Sequence, residues 1–218
     1  MLVKIRLIIP VLLFSIPALT TRSQGLLFKS NDSLPARRTS LHVFDTHPPV
    51  FHDNFYISFD LSLWDNANIG CVLELADKDT SYSLSYLYTN GAATLNFNID
   101  RQSHKLVIPL PPALLGKAAW GKIRIDFDLR ADNVAIDIDN TVYLASHLGL
   151  KPDMAPNIFF GKNQLYTEVP DMAIKNLEVG DDSKEYIFPL NESGGTVVHD
   201  STGAPRGTVG NPVWLSNL

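Results

Sequence analysis

The segment Phe55-Tyr-Ile-Ser-Phe-Asp-Leu-Ser-Leu63 decides the fold class, because every odd-numbered residue in it is apolar and every residue between them carries a polar group. Ile123-Arg-Ile-Asp-Phe-Asp-Leu129 shows the same alternation. Successive side chains of a β-strand point to opposite faces of a sheet, so a strand with one buried face and one solvent-exposed face has this pattern. We therefore predict an all-β protein made of antiparallel strands.

Turn signals separate further strands of this kind. Asn90-Gly91 and Asp139-Asn140 each lie between two alternating segments, and a type I′ hairpin turn favours such residues because both of its central positions need positive φ. Between Ile174 and Leu177 the apolar phase slips by one residue, which predicts a β-bulge near Lys175-Asn176. About twelve or more short strands with almost no helix predict a large antiparallel sandwich, in which residues 41–44 form the first strand.

The N-terminus has the pattern of an export signal. Lys4 and Arg6 precede an apolar run over residues 7–19, which is shorter than the roughly 20 residues that cross a membrane. A charged start, a short apolar run and small polar residues are typical of a signal peptide. We predict that residues 1–23 are removed near Ser23/Gln24 and that the protein is secreted, periplasmic or at the cell surface. An uncleaved anchor is the alternative.

The charge balance limits the partners of this protein. Without residues 1–23 the chain holds 15 basic and 23 acidic residues, a formal charge of −8. Nucleic-acid phosphates require a basic stripe, so no nucleic-acid partner is predicted, and nothing after residue 24 is apolar enough to span a membrane. The single cysteine, Cys71, excludes an internal disulfide and lies in a strand-like run, where we expect a small core residue. Residues 24–218 fit a single domain with its core over about 40–215.

Three passages carry a resemblance to a known superfamily: Trp120-Gly-Lys-Ile-Arg-Ile-Asp-Phe-Asp128, Asn157-Ile-Phe-Phe-Gly161 and Asn211-Pro-Val-Trp-Leu215. Their order resembles the concanavalin A-like lectin/glucanase superfamily and, within it, the laminin G-like domains of exported proteins from Bacteroidetes-type bacteria. The resemblance implies a jelly-roll sandwich with a recognition or spacer role, and it implies no catalytic residue. Export without disulfides also suits a bacterial envelope.

The carboxylates do not form a hydrolase motif. Retaining glycoside hydrolases need two carboxylates about 5–5.5 Å apart, and laminarinase-like members of the superfamily place them in a Glu-x-Asp-x-x-Glu run, which this chain lacks. The nearest analogues are two same-face pairs of aspartates on hairpin strands, Asp126/Asp128 and Asp137/Asp139. Antiparallel strands with one solvent-exposed face expose such residues routinely. We expect these aspartates to pair with Lys122, Arg124 and Arg130 across neighbouring strands. We therefore predict that the protein is not an enzyme.

Calcium is the one candidate cofactor. Laminin G-like domains can hold one calcium ion at a loop edge, and calcium takes six to eight oxygen ligands. The resemblance makes loop aspartates the candidate ligands, namely Asp77, Asp79 and Asp171. The alternative is that each forms a turn through its own backbone. His42, His47 and His52 recur every five residues, which alternates faces on an extended chain and does not favour a zinc site.

Aromatic side chains are candidates for contacts with a sugar. Trp64 falls on the polar phase of the Phe55–Leu63 alternation, and Tyr86 and Tyr88 share a face of a second strand. Aromatic rings offer a large apolar area with a polar edge. We predict Trp64, Tyr86 and Tyr88 as ligand-binding residues. The alternative places Tyr82 and Tyr86 in the core, on either side of Leu84.

These observations predict an exported, non-catalytic recognition module that binds a carbohydrate or an envelope or extracellular protein. Two alternatives remain open. One is a glycoside hydrolase or lyase whose carboxylates come from separate strands. The other is a structural domain of a truncated, larger exported protein. Fold-level likeness cannot choose among them, because function depends on individual sites.

Overall fold

A computed structural model describes residues 24–30, 34–64, 69–78, 80–100, 103–117 and 119–215. The predicted signal peptide, residues 1–23, lies outside the described residues. Within the described part of the chain, no helix has the length and apolar character that a membrane crossing needs.

The described chain is almost entirely β-structure, interrupted by two short 3-10 turns at Pro35–Arg37 and Pro112–Leu114. The first eight strands are β1 Leu26–Phe28, β2 Ser40–Val43, β3 Phe51–His52, β4 Asn54–Leu63, β5 Ile69–Asp77, β6 Thr80–Thr89, β7 Ala92–Ile99 and β8 Ser103–Pro109. The others are β9 Gly121–Asp128, β10 Asn133–Ile138, β11 Thr141–Ser146, β12 Asp153–Met154, β13 Asn157–Gly161, β14 Met172–Gly180, β15 Glu185–Phe188, β16 Val197–His199 and β17 Pro205–Gly210.

The strands form two main antiparallel sheets. A seven-stranded sheet has the order β1-β14-β4-β9-β10-β11, with β15 beside β14. An eight-stranded sheet has the order β16-β17-β2-β13-β5-β6-β7-β8, and β3 pairs with β12. The odd-numbered apolar residues of β4 and β9 are buried in the core between the sheets. The predicted all-β antiparallel sandwich is confirmed.

The local predictions also agree with the structure. Asn90 and Gly91 have φ of 53° and 80°, and Asp139 and Asn140 have φ of 47° and 69°, as a type I′ turn requires. The pairing of β14 with β4 shifts register between Lys175 and Glu178, which confirms the bulge. Cys71 is fully buried, as expected for a core residue.

The prediction that residues 41–44 form the first strand is wrong. β1 precedes that strand and pairs with β14, and Leu26 also forms an isolated bridge to Trp214. All three residues of β1 are buried, because β1 is covered on both faces. A strand buried on both faces has no polar alternation, so the pattern that revealed the other strands is absent from it.

An ion pair with a buried carboxylate closes the turn between β16 and β17. Asp200 Oδ1 accepts hydrogen bonds from the backbone N–H groups of Thr202 at 2.9 Å and Ala204 at 3.1 Å. Arg206 Nε donates to Asp200 Oδ2 at 2.5 Å. Burial opposes ionisation of this carboxyl, but the hydrogen bonds outweigh it and lower the pKa of Asp200 to about 2.

Asp200→Asn is expected to reduce the free energy of unfolding by about 2 kcal/mol near pH 7, because a neutral amide makes weaker hydrogen bonds than the buried carboxylate does. The Arg206 side chain is 39% exposed, so it stays hydrated and adds little to this cost. The folded-state pKa lies below the ordinary value of 3.8. The stabilisation is therefore fully present above about pH 4 and is lost as the pH falls toward 2. Urea unfolding of both proteins across this range measures the effect. A difference between them that stays constant from neutral to acid pH would contradict the role of the ionised carboxylate.

Candidate functional site

The outer face of the seven-stranded sheet carries polar side chains over a buried core. On β4 and β9, the odd-numbered residues Phe55 and Phe127 point inward and are buried, so the even-numbered residues point outward. Tyr56 of β4 lies directly opposite Asp126 of β9. Asp126 in turn lies opposite Ala135 of β10. Three adjacent strands therefore align these side chains in one row across the sheet.

A groove of about 370 Å³ runs over this row. The loop between β14 and β15 forms one wall, and it is tied to the sheet where Asn54 Nδ2 donates to Asp182 Oδ2 at 3.1 Å. The polar residues that line the groove are Asn54, Tyr56, Arg124, Asp126, Asp128, Asn133, Asp181 and Asp182.

Tyr56 and Arg124 form a stacked pair on the floor of the groove, called the platform from here on. The guanidinium carbon of Arg124 lies 3.9 Å from the centroid of the Tyr56 ring. Arg124 Nε donates to both carboxylate oxygens of Asp126, at 2.9 Å to Oδ1 and 3.0 Å to Oδ2. A guanidinium held by a carboxylate and an aromatic ring has few rotamers left, so the platform is set before any ligand arrives.

The Tyr56 hydroxyl is also held in place. It donates a hydrogen bond to Glu185, the first residue of β15. Burial and, after it, the hydrogen bond to Glu185 together raise the pKa of Tyr56 to about 12. The phenol is therefore neutral at physiological pH, with its ring edge fixed against β15.

The groove is negatively charged. It contains four carboxylates but a single guanidinium, that of Arg124. Asp128 Oδ1 accepts from the backbone N–H of Ala131 at 2.8 Å, and Asp181 Oδ1 accepts from that of Lys184 at 2.8 Å. Burial opposes ionisation of Asp181, but such hydrogen bonds lower its pKa. A carboxylate has about four acceptor sites, so these groups retain capacity for hydroxyl donors of a ligand.

Two of the predicted aromatic contacts lie away from this groove. Trp64 follows β4 on its outer face, eight residues after Tyr56 and so about 26 Å along the strand. Its ring is half-buried, and Lys117 Nζ lies 4.6 Å from the ring centroid. Tyr88 lies at the end of β6 and is partly exposed. Both residues are at the end of the sandwich opposite the groove, and their role in ligand binding stays a prediction.

The prediction that Tyr86 contacts a ligand is wrong, because its side chain is fully buried. Tyr86 pairs with Leu95 of β7, whose side chain is also in the core. The pairing places Tyr82, Leu84 and Tyr86 on the inner face. This confirms the alternative assignment of these aromatics to the core.

The predicted calcium ligands do not fit one ion. Asp77 ends β5, is buried, and accepts from the backbone N–H of Ala155 at 3.1 Å. Asp171 accepts from the backbone N–H of Ser30 at 3.1 Å. The backbone N–H of Cys71, near the start of β5, donates to the carbonyl of Glu168 at 3.0 Å. Asp171 therefore lies near the start of β5, whereas Asp77 lies at its other end, about 20 Å away.

Asp79 lies outside the described residues. Among the residues that are described, no group of three or more His, Cys, Asp or Glu side chains is arranged to hold a metal ion.

Sequence reasoning identified part of the groove but missed its platform. Asp126 and Asp128 are the outer-face carboxylates that the alternation predicts. Arg124 does pair with Asp126, at 2.8 Å, but along β9 itself and not across neighbouring strands as expected. Arg130 instead pairs with Asp53, at 2.5 Å. Tyr56 was missed, although it occupies the same polar phase of the strand as Trp64 and could have been considered with it.

Comparisons with known proteins support the fold. No protein-family model matches the chain, and no curated protein sequence matches it. A heptameric SAP-like pentraxin from Limulus polyphemus superimposes with a TM-score of 0.55 at 13% identity, covering 72% of this chain and 76% of the pentraxin. Domains LG4-5 of the mouse laminin alpha1 chain superimpose with a TM-score of 0.53 at 12% identity, covering 88% of this chain.

The chain spans about half of that laminin fragment, 46% of its length. At these identities the likeness concerns the fold alone. It agrees with the jelly-roll β-sandwich that the sequence resemblance implied.

Proposed function

We propose that this protein is a non-catalytic recognition module that binds an uncharged carbohydrate in the groove on the outer face of the seven-stranded sheet. The observation that carries the proposal is the Tyr56–Arg124 platform, 3.9 Å from ring to guanidinium, surrounded by carboxylate and amide side chains. Export of the module follows from the predicted signal peptide.

The chemistry of the groove matches that of a sugar. A pyranose presents apolar C–H groups on its faces, which pack on a flat aromatic or guanidinium surface. Its hydroxyls donate well to carboxylates, and charge-assisted hydrogen bonds are the stronger kind. Asn54 and Asn133 add amide groups that both donate and accept. The excess of carboxylates repels uronic acids and sulfated sugars, so the favoured ligand is uncharged.

Asp126 and Asp128 of the groove already accept hydrogen bonds from the protein itself. Both oxygens of Asp126 accept from Arg124 Nε, and Asp128 Oδ1 accepts from the N–H of Ala131. A glycosidase needs a carboxyl that keeps a proton to give to the leaving group. These contacts favour binding of a sugar over cleavage of its glycosidic bond.

Arg124→Ala is expected to weaken binding of a neutral polysaccharide about tenfold or more, because it removes half of the platform and leaves Asp126 without its partner. The purified protein is assayed against a panel of neutral polysaccharides (xylan, mixed-linkage β-glucan and galactan) and acidic ones (alginate and heparin). The control is Arg37→Ala, which removes an exposed arginine of the first 3-10 turn that does not line the groove. Thermal unfolding of both variants checks that they are folded.

The proposal expects binding to at least one neutral polysaccharide, no binding to the acidic ones, and loss of binding only in Arg124→Ala. Binding to alginate or heparin alone would contradict the electrostatic argument. Equal loss in Arg37→Ala would show that the groove is not the site. Release of reducing sugars from any member of the panel would contradict a non-catalytic module and would support the alternative that the protein is an enzyme.

A further inference from the structure

The free edge of the seven-stranded sheet is an apolar, uncharged strand. β11 is the last strand in the order of this sheet. Its residues, Thr-Val-Tyr-Leu-Ala-Ser, include no charged side chain and no proline. Val142 and Leu144 are 62% and 59% exposed, and they lie side by side on the outer face, opposite Asp137 and Ala135 of β10.

The backbone of β11 is directed outward at alternate residues. The N–H of His147 donates to the carbonyl of Asp132 at 2.9 Å, so the odd-numbered residues of β11 direct their backbone groups toward β10. The N–H of Asp139 donates to the carbonyl of Lys122 at 3.2 Å. The odd-numbered residues of β10 therefore bond to β9 and the even-numbered ones to β11, which agrees with this assignment. Val142, Leu144 and Ser146 therefore direct their N–H and C=O groups away from β10, toward the open edge.

The corresponding edge of the eight-stranded sheet is protected, and β11 is not. β8 contains Lys105 and ends at Pro109, and its pairing with β7 has a register shift between Phe97 and Asn98. Lysine, proline and bulges are the devices that keep edge strands from pairing with another chain. β11 is paired with β10 over all six residues without a shift. In the described part of the structure, β11 therefore lacks the features that protect β8, and its edge is suited to pairing with a strand of another chain.

The strand is complementary to itself. Antiparallel pairing of two copies about Tyr143 places Val142 of one copy opposite Leu144 of the other, and both of these residues direct their backbone groups outward. The same register brings the Asp139–Asn140 turn of one copy near His147 of the other. Apolar residues thus meet apolar residues, and an acidic turn meets an imidazole rather than a like charge.

We propose that two copies of this chain associate through β11, so that the seven-stranded sheets of both copies join into one continuous antiparallel sheet. Strand addition at a sheet edge supplies backbone hydrogen bonds, and the paired side chains supply specificity. The interface is small, so the dimer is expected to form at micromolar protein concentrations rather than at nanomolar ones.

The test uses light scattering during size-exclusion chromatography at about 100 µM protein, a concentration suited to a small interface. The wild-type protein is expected at about twice the mass of the purified chain, which is below 24.1 kDa once residues 1–23 are removed. The double substitution Val142→Lys/Leu144→Lys places like charges opposite each other across the pair and should give a monomer. The control Val107→Lys changes an equally exposed valine on β8 and should leave the dimer intact.

A charge-swap pair tests the register itself. Val142→Glu/Leu144→Glu should also be monomeric, and mixing it with the lysine double variant should restore a heterodimer, because position 142 faces position 144 in the proposed pairing. A monomeric wild type at this concentration would overturn the proposal. So would a lysine double variant that remains dimeric, or a mixture that forms no heterodimer.

Discussion

Replacing Phe127 by alanine is expected to lower the free energy of unfolding by about 4 kcal/mol, which is typical of a large aromatic removed from a packed core. The Phe127 ring stacks on Phe55 with centroids 4.5 Å apart and planes at 4°, and Phe55 stacks on Phe51 at 4.8 Å. Tyr82 and Phe97 of the other sheet meet the Phe127 ring edge-on at 5.8 Å and 6.5 Å. Phe127 therefore joins the two sheets.

Urea unfolding followed by tryptophan fluorescence measures this effect. Phe127→Leu is the matched comparison, because it keeps most of the apolar volume and loses the ring contacts, and it should cost about 1–2 kcal/mol. If Phe127→Ala reduced stability by less than about 1 kcal/mol, the aromatic stack would not be central to the sandwich.

Gly161→Ala is expected to destabilise the protein by about 3 kcal/mol. Gly161 ends β13 with φ of 69°, where an L side chain is strained by about 1–2 kcal/mol. A Cβ at this position would lie 2.5 Å from Cδ1 of Phe28 and 2.8 Å from the carbonyl oxygen of Thr39. Overpacking of this kind costs a further 1–3 kcal/mol. The backbone oxygen belongs to the chain entering β2, so neither neighbour can move freely.

Gly203→Ala separates the effect of backbone strain at positive φ from the effect of the added Cβ on packing. Gly203 has φ of 83°, but a Cβ built on it meets nothing within 4 Å. Its substitution should show the backbone strain alone, about 1 kcal/mol. Chemical denaturation of the two variants compares them directly. Equal destabilisation in Gly161→Ala and Gly203→Ala would show that packing against Phe28 contributes nothing.

Local patterns predicted the strands because each pattern reports on one strand and its own environment. The hairpin at Asn90-Gly91 needs only two residues that tolerate positive φ, and the bulge at Lys175 needs only a slip in the apolar phase. Strand β13 ends in Phe160-Gly161, one of the features of the resemblance. The structure shows why glycine stands there, because a Cβ on Gly161 would collide with Phe28 of β1.

The groove could not be read from the sequence in the same way. Tyr56 and Arg124 meet because β4 pairs with β9, although they are far apart in the chain. The assignment of Tyr86 failed for a different reason. Tyr86 shares its face with Leu84, while Ser83 and Ser85 occupy the other face, so the alternation itself favours burial of Tyr86. The pairing of Tyr86 with Leu95 of β7 agrees with that burial. Contacts that depend on strand order are not visible in the periodicity of one strand.

The groove and the proposed dimer edge lie on the same sheet. β9, at the centre of the groove, is two strands from β11, so pairing through β11 places two grooves about 25 Å apart on one continuous outer face. Two grooves facing the same way can bind one polysaccharide chain or two neighbouring chains at once. Avidity of this kind raises apparent affinity without any new contact.

The most direct test of the carbohydrate-binding groove is an amide proton–nitrogen NMR titration with a hexasaccharide of the neutral polysaccharide that binds most strongly. The proposed site predicts that the largest shift changes fall on residues 54–56, 124–128, 133–135 and 181–182, and that Arg124→Ala removes them. Shift changes centred on Trp64 and Tyr88, or on the eight-stranded sheet, would contradict the groove as the binding site.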